Sequence, residues 1–124
     1  MKVKTITREY LRSHPHNIFV FGDNTERRGY GGAAALRNEP NTYGFITKHT
    51  CSVSYTPEQY APIFEREMVY LTAHIVCVPS NFKFLISPLG AGLANEYGIW
   101  EAVIREPLRT RLSDYNNVEF LWED

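Results

Sequence analysis

The chain has 124 residues, with 13 Lys and Arg against 14 Asp and Glu, so that its formal net charge is -1. A hydrophobic fraction of 44% and a charged fraction of 22% are typical of one globular domain over residues 1–124, which argues against disorder and coiled coil. The charge balance also argues against duplex nucleic acid as the main partner, because duplex binders carry a basic excess.

No apolar run approaches the roughly 20 residues that a membrane-spanning helix needs. The first residues, MKVKTITREYL, lack the apolar region of a secretory signal. Two cysteines in a domain of this size favour a reducing compartment over a disulfide scaffold. These features predict a cytoplasmic protein without a membrane partner, and they leave its oligomeric state open.

The first half of the chain alternates strand and helix signals. Residues 18–21 (IFVF) form a short apolar run that is typical of a strand covered on both faces. After a polar loop (DNTERRGYGG), the alanines predict a helix over residues 32–38, and residues 43–48 (YGFITK) predict a second strand. Residues 2–6 are a candidate edge strand.

The second half repeats the alternation. Thr56, Pro57 and Gln59 form a helix start with a capping box, and the apolar spacing that follows predicts one buried helix face. Periodicity leaves open whether residues 74–78 (HIVCV) continue the helix, and we favour continuation. Residues 82–86 predict a strand, residues 100–112 a helix that Pro107 breaks or kinks, and residues 118–122 a last strand. The fold class is therefore α/β, a three-layer α/β/α domain with a mostly parallel or mixed sheet.

Two Gly-rich loops each follow a buried strand and precede a helix. Ligands of open α/β sheets bind at the carboxyl ends of strands, where glycines allow close backbone approach and helix N-termini offer N–H groups to anions. Tight turns without a ligand are the alternative. Residues 29–34 (GYGGAA) formally fit a dinucleotide fingerprint, but they lie too far beyond the strand to form it, and there is no P-loop.

The segments FGDNTERRGYGGAAAL and LISPLGAGLAN together resemble the two ligand loops of macrodomains, the ADP-ribose-binding α/β/α modules. The likeness is greatest to a compact branch of phage and bacterial proteins with an F-G-x-N start, and it covers about residues 17–112. Two departures are Thr5, where many macrodomains carry an adenine-reading Asp, and the short chain. The resemblance implies a small-molecule ligand of ADP-ribose type and no cofactor.

The resemblance also implies roles for individual residues. Asn24 falls where macrodomains contact the distal ribose and, in hydrolases, orient the attacking water. Around it, the ligand-binding set implied by the first loop is Gly22, Asp23, Asn24, Arg28, Gly31, Gly32 and Ala33. The set implied by the second loop, which would wrap the diphosphate, is Ser87, Pro88, Leu89, Gly90, Ala91, Gly92, Leu93, Ala94 and Asn95.

Some side chains have a functional and a structural interpretation. Asp23 could take a ribose hydroxyl or act as a base, so that Asp23 and Asn24 are the candidate catalytic pair; a turn aspartate is the alternative. Lys48, at the end of a strand, is a further candidate ligand contact. The pairs His14/His16 and His49/Cys51 do not converge, so we expect no metal. Cys77 is expected to be buried, and Trp100 to pack under its helix.

The sequence thus predicts a reader or sequestering protein for an ADP-ribose-like nucleotide. An ADP-ribosyl hydrolase or ADP-ribose 1″-phosphate phosphatase is one alternative, and a non-catalytic interaction protein is another; whether the chain is an enzyme stays open. If a phage encodes it, capture of a host defence nucleotide would fit. Bulky replacement of Gly90 and Gly92 is expected to abolish binding while the domain stays folded.

Overall fold

The computed structural model describes residues 1–124. The strands are β1 (Lys2–Val3), β2 (Asn17–Asn24), β3 (Thr42–Lys48), β4 (Lys83–Ile86), β5 (Val118–Phe120) and β6 (Trp122–Glu123). The α-helices are α1 (Arg8–Ser13), α2 (Pro57–Cys77) and α3 (Arg105–Leu112). Two 3₁₀ turns (Gly32–Leu36 and Asn95–Tyr97) and one π turn (Trp100–Ile104) complete the helical segments. None of these helices combines the length and the apolar character that a membrane span requires.

A four-stranded sheet in the order β3-β2-β4-β5 forms the centre of the protein, and all its pairings are parallel. This confirms the predicted α/β class with a parallel sheet. The candidate edge strand does not join this sheet. Instead β1 pairs antiparallel with β6, with Val3 opposite Trp122.

Helical segments cover both faces of the sheet, which explains the continuous apolar run of β2. On one face Val20 packs with residues of α2 and α3, among them Phe64 and Leu108. On the other face Phe19 and Phe21 pack with Leu11 of α1, Ala34 of the first 3₁₀ turn, Leu85 and Leu121. Alternate side chains of β2 therefore enter different clusters, as the period of a strand requires.

Helix α2 begins with the predicted capping box. The Thr56 hydroxyl accepts a hydrogen bond from the Gln59 N–H, and the Gln59 side chain accepts one from the Thr56 N–H. The helix continues to Cys77, so the favoured interpretation of residues 74–78 is confirmed. The expected burial of Cys77 is wrong, because the helical period directs Ile75 inward and leaves Val76 and Cys77 exposed.

Other predicted boundaries need correction. The segment after the first Gly-rich loop is a 3₁₀ turn that ends at Leu36 rather than an α-helix over residues 32–38. Pro107 is the third residue of α3, and the π turn at Trp100–Ile104 leads directly into that helix, so the irregularity predicted at Pro107 lies in the turn just before the proline. The last strand is two short strands. Helix α1, which the prediction missed, is capped by Thr7, whose hydroxyl accepts from the Tyr10 N–H at 3.1 Å.

The sheet has a topological switch point between β2 and β4. The connection that leaves β2 passes through the 3₁₀ turn on one face, whereas the connection that leaves β4 leads to α3 on the other face. Adjacent parallel strands whose connections leave on opposite faces open a crevice at their carboxyl ends. The two Gly-rich loops begin at this crevice.

Candidate functional site

A cavity of about 560 Å³ lies at the carboxyl ends of β2 and β4, between the two Gly-rich loops. Most of the residues that the sequence predicted for the ligand site line it. They are Gly22, Asp23, Asn24, Arg28, Gly31, Gly32, Ala33, Lys48, Ser87, Pro88, Gly90, Gly92, Leu93 and Ala94. These residues converge because β2 and β4 are adjacent parallel strands, so the loops that follow them begin side by side at the switch point.

Three residues of the predicted set do not line the cavity. Leu89 is 1% exposed and belongs to the core, and Ala91 packs against that core. Asn95 binds the start of the next helical segment: its Oδ1 accepts from the Trp100 N–H at 3.0 Å, and its Nδ2 donates to the Glu101 carboxylate. These three residues therefore support the second loop on its side away from the cavity. Trp100 is buried, as expected for a residue that packs under its helix.

The cavity also contains residues outside the ligand-binding set that the sequence predicted: Gly29, Ala34, Arg37, Thr47 and Cys51. Cys51 comes from the loop after β3, and its thiol donates a hydrogen bond to the Arg28 carbonyl at 3.3 Å. Arg37 follows the 3₁₀ turn and its side chain is only 13% exposed. Its position after the Gly-rich loop was visible in the sequence, but nothing there showed that the turn folds it back onto β2.

Both walls of the cavity carry backbone N–H groups without an acceptor in the protein. On the first wall, the N–H groups of Arg28, Gly29, Gly31, Gly32 and Ala33 donate no hydrogen bond. On the second wall, the N–H groups of Gly90, Gly92, Leu93 and Ala94 are likewise free. Clustered unpaired N–H groups around a concave surface are suited to an anion such as phosphate. Short 3₁₀ turns follow the loops, so α-helix dipoles contribute less than the sequence suggested.

Charged side chains make the cavity electropositive although the chain as a whole has a net charge of -1. Arg28, Arg37 and Lys48 line it against a single acidic side chain, Asp23, so three positive charges less one negative charge leave +2. Lys48 Nζ donates to the Cys51 carbonyl at 2.8 Å, which holds the ammonium group at the cavity wall. A cationic concave site raises the local concentration of anionic ligands.

The Asp23 carboxylate is occupied by bonds within the protein. Arg37 donates two hydrogen bonds to it, at 3.0 and 2.6 Å, and Arg27 Nη1 and the Asn24 N–H donate at 3.1 and 2.8 Å. Asp23 is 4% exposed. This geometry leaves neither oxygen free to take a proton from water or to receive a ribose hydroxyl, and it favours the structural interpretation of Asp23.

Asn24 shapes the loop in which it lies. Its Nδ2 donates to the Arg28 carbonyl at 2.7 Å, and its Oδ1 accepts from the Glu26 N–H at 3.0 Å. A side chain bonded in this way to its own backbone two residues on forms an Asx turn. Asn24 therefore borders the cavity while its polar atoms hold the loop.

The two glycines chosen for replacement differ in what surrounds them. Gly90 has a φ of +81°, and a Cβ there would lie 2.6 Å from Ile104 Cδ1 in the core. We therefore expect a bulky Gly90 variant to lose stability, which corrects the expectation that it leaves the fold unchanged. A Cβ at Gly92 would meet nothing within 4 Å, so Gly92 is the position at which the site can be altered without disturbing the core.

A second cavity, of about 640 Å³, lies at the amino ends of the strands. Apolar and aromatic side chains form much of its wall, among them Ile18, Tyr43, Phe82 and Phe84. No Gly-rich loop borders it. No group of three or more His, Cys, Asp and Glu side chains that could hold a metal ion is present in the chain. The crevice between the Gly-rich loops is thus the candidate functional site.

The fold and the cavity define a small α/β protein with a crevice at a switch point that is suited to an anionic ligand. The chain belongs to a family of unknown function, DUF7831, whose model matches residues 1–93. That match includes the first loop and the second as far as Leu93. Comparison with curated proteins and with solved structures finds no match.

Proposed function

We propose that the protein is a compact macrodomain-like module that binds an ADP-ribose-like nucleotide between its two Gly-rich loops, as a reader or a sequestering protein. The observation that carries this proposal is the presence of free backbone N–H groups on both walls of one cavity at the switch point. Two sets of donors, one on each wall of the cavity, suit the two phosphates of a diphosphate better than a single phosphate.

Charge supports the same ligand class. The net charge of +2 among the lining side chains matches the two negative charges of an ADP-ribose diphosphate. Arg28 is exposed at the lip, where its guanidinium can reach a phosphate through paired hydrogen bonds. The free cysteines Cys51 and Cys77 suit a reducing compartment, and we place this function in the cytoplasm.

Binding is proposed over hydrolysis because of what the candidate catalytic pair does in the structure. General-base catalysis needs a group within hydrogen-bonding reach of the water it activates. The oxygens of Asp23 accept bonds from Arg37, Arg27 and the backbone, and both polar atoms of Asn24 hold the loop. A general base is therefore missing from the pair that the hydrolase alternative requires.

A protein-interaction role is the second candidate, and it rests on a different observation. Val69, Tyr70 and Val76 are exposed on α2, away from both loops. Exposed apolar side chains on one helix can bind a partner, although single exposed apolar residues are common on protein surfaces. This candidate predicts no nucleotide binding and is separated from the first by the experiment below.

The test is a thermal shift with ADP-ribose at about 1 mM, beside AMP, NAD and cyclic nucleotides. A dissociation constant of about 10 μM would stabilise the native state by about 2.7 kcal/mol. For a domain of this size that corresponds to roughly 8–10 °C in the melting temperature. We expect a clear shift with ADP-ribose and little with AMP.

A matched pair of variants locates the site. Gly92→Asp and Gly92→Asn place side chains of nearly equal size beside the free N–H groups, but only the aspartate repels a diphosphate. We expect Gly92→Asp to lose the ADP-ribose shift and Gly92→Asn to keep more of it, while Ala73→Val on the exposed side of α2 changes nothing. No shift with any nucleotide, or equal shifts in both Gly92 variants, would contradict the proposal.

A further inference from the structure

We infer that Arg37 is a positioning residue of the ligand site, which holds the first Gly-rich loop in the shape that presents its N–H groups. The inference rests on the proposed function for its consequence in binding. The loop geometry that it explains exists without any ligand. Arg37 was not in the ligand-binding set that the sequence predicted, yet its side chain would hold the first Gly-rich loop of that site in shape.

The contacts of Arg37 connect three parts of the cavity wall. Its Nε donates to the Gly29 carbonyl at 2.8 Å, and its Nη2 donates to the Arg28 carbonyl at 3.2 Å. The same guanidinium forms the paired bonds to Asp23 on β2, and it lies 5.3 Å from the centre of the Phe21 ring. One largely buried side chain thus connects the loop to the end of a central strand.

The loop depends on such side-chain contacts because its own backbone is weakly held. None of the N–H groups of residues 28–33 is bonded, and Arg27 and Gly29 have φ values of +54° and +95°. A peptide group is planar and trans, so a fixed carbonyl also fixes the N–H of the next residue on the opposite side. By bonding the carbonyls of Arg28 and Gly29, Arg37 orients the N–H groups of Gly29 and Tyr30.

The charge of Arg37 explains why its bonds between the first Gly-rich loop and β2 are stable. Asp23 is buried, and a buried carboxylate requires a charged and hydrogen-bonded partner. Arg37 supplies that partner and still has donors for the two carbonyls, which the single ammonium group of a lysine could not serve in the same geometry. If Arg37 served only to neutralise the charge of Asp23, it would not need its hydrogen bonds to the carbonyls of Arg28 and Gly29.

Cys51 provides a readout of the loop that needs no ligand. Its thiol donates to the Arg28 carbonyl, and a Cβ built at Gly29 would lie 3.1 Å from its sulfur, so the loop lies against the thiol. Cys77, at the exposed end of α2, is the second free cysteine and serves as the internal reference. The rate of alkylation by iodoacetamide, followed at both cysteines by peptide mass spectrometry, reports on the loop.

The experiment compares Arg37→Lys with Arg12→Lys in the full chain. Arg12 also pairs with a buried carboxylate, Glu39, at 3.0 Å, and both residues line the second cavity rather than the crevice between the Gly-rich loops. We expect Arg37→Lys to raise the Cys51 rate relative to Cys77 by about threefold or more, because the loop opens locally. We expect it to weaken ADP-ribose binding by about tenfold or more, as loss of a supporting contact does at other sites. Arg12→Lys should change neither quantity.

The outcomes separate this inference from the proposed function. An increased Cys51 rate together with no ADP-ribose binding by the unaltered protein would support the role of Arg37 in the loop and reject the nucleotide. An unchanged Cys51 rate in folded Arg37→Lys would overturn the inference. If that variant does not fold, the double variant Asp23→Asn/Arg37→Gln, which removes both charges of the pair, is measured against the same two criteria.

Discussion

The backbone of Ile46 is bonded by two side chains of helix α2. Ile46 lies on β3, an edge strand of the sheet, where backbone groups on the outer side have no neighbouring strand. Glu67 Oε1 accepts from the Ile46 N–H at 2.7 Å, and the Tyr60 hydroxyl donates to the Ile46 carbonyl at 2.6 Å. Side chains thus satisfy an edge that would otherwise be open to strand addition.

The burial that makes these bonds possible also changes the acidity of the tyrosines. Loss of hydration in the core, together with the nearby Glu67 carboxylate, raises the pKa of Tyr60 far above its ordinary value. The same two causes raise the pKa of half-buried Tyr43 to about 12. The folded protein therefore retains phenolic protons at a pH at which the unfolded chain has released them.

We expect stability to fall as the pH rises above about 10, because the unfolded chain then loses phenolic protons that the folded chain keeps. Tyr60→Phe should reduce this dependence, and near neutral pH it should cost about 1 kcal/mol through loss of the bond to Ile46. Urea unfolding at neutral and alkaline pH measures both effects. Tyr97→Phe, at an exposed position, is the control and should retain the full alkaline loss.

At the scale of elements, the start of α2 is determined locally. Thr56, Pro57 and Gln59 make a capping box with a proline at the first helical position, and these contacts involve only neighbours in the chain. The boundary could therefore be predicted from the sequence. The second sequence signal for α2 is its apolar spacing, which places Phe64, Met68 and Leu71 in the core.

Thr56→Ala should destabilise the protein by about 1 kcal/mol, since the Gln59 N–H then loses its acceptor at the helix start. Thr56→Ser keeps a hydroxyl at the cap and should remain close to the original stability. Equilibrium urea unfolding of the three proteins provides the comparison. Equal stability of the alanine and serine variants would mean that tertiary packing alone holds the first turn.

At the scale of the whole molecule, charged side chains connect the two sheets. Glu119 on β5 accepts from Lys83 on β4 at 2.7 Å and from Lys4, just after β1, at 3.2 Å. The backbone continues the connection, because Lys4 donates to the Leu121 carbonyl and Leu121 donates to that of Ile86. The hydrogen bond from Lys83 is the main reason that the pKa of Glu119 is lowered.

We expect this connection to weaken in acid. The folded protein holds Glu119 ionised at a pH at which the unfolded chain takes up a proton, so its contribution is present above about 4.5 and is lost as the pH falls through the lowered pKa. Glu119→Gln should lower stability at neutral pH by up to about 1 kcal/mol and flatten the loss in acid. Unfolding at pH 7 and about 3.5 tests this, and Glu123→Gln, which has no ion pair, should behave like the unaltered protein.

The candidate site was predictable where it depends on glycine loops and the order of strands. Gly31, Gly90 and Gly92 follow or adjoin apolar runs that end at one edge of a parallel sheet, so their approach could be inferred before any coordinates. Arg37 and Cys51 could not be inferred in this way. Their places depend on how a 3₁₀ turn and the β3–α2 loop fold back, and neither segment has a periodic pattern.

The sequence by itself determined the α/β class, the capped start of α2 and the pair of Gly-rich loops, because apolar period, capping and glycine content act over a few neighbouring residues. Only the tertiary structure decided which polar groups are free. In the folded chain, Asn24 bonds the Arg28 carbonyl, Arg37 bonds the Asp23 carboxylate, and Asn95 bonds the Trp100 N–H. The reason is that a side chain bonds whichever partner the folded chain brings within about 3 Å, and that distance is not a property of local sequence.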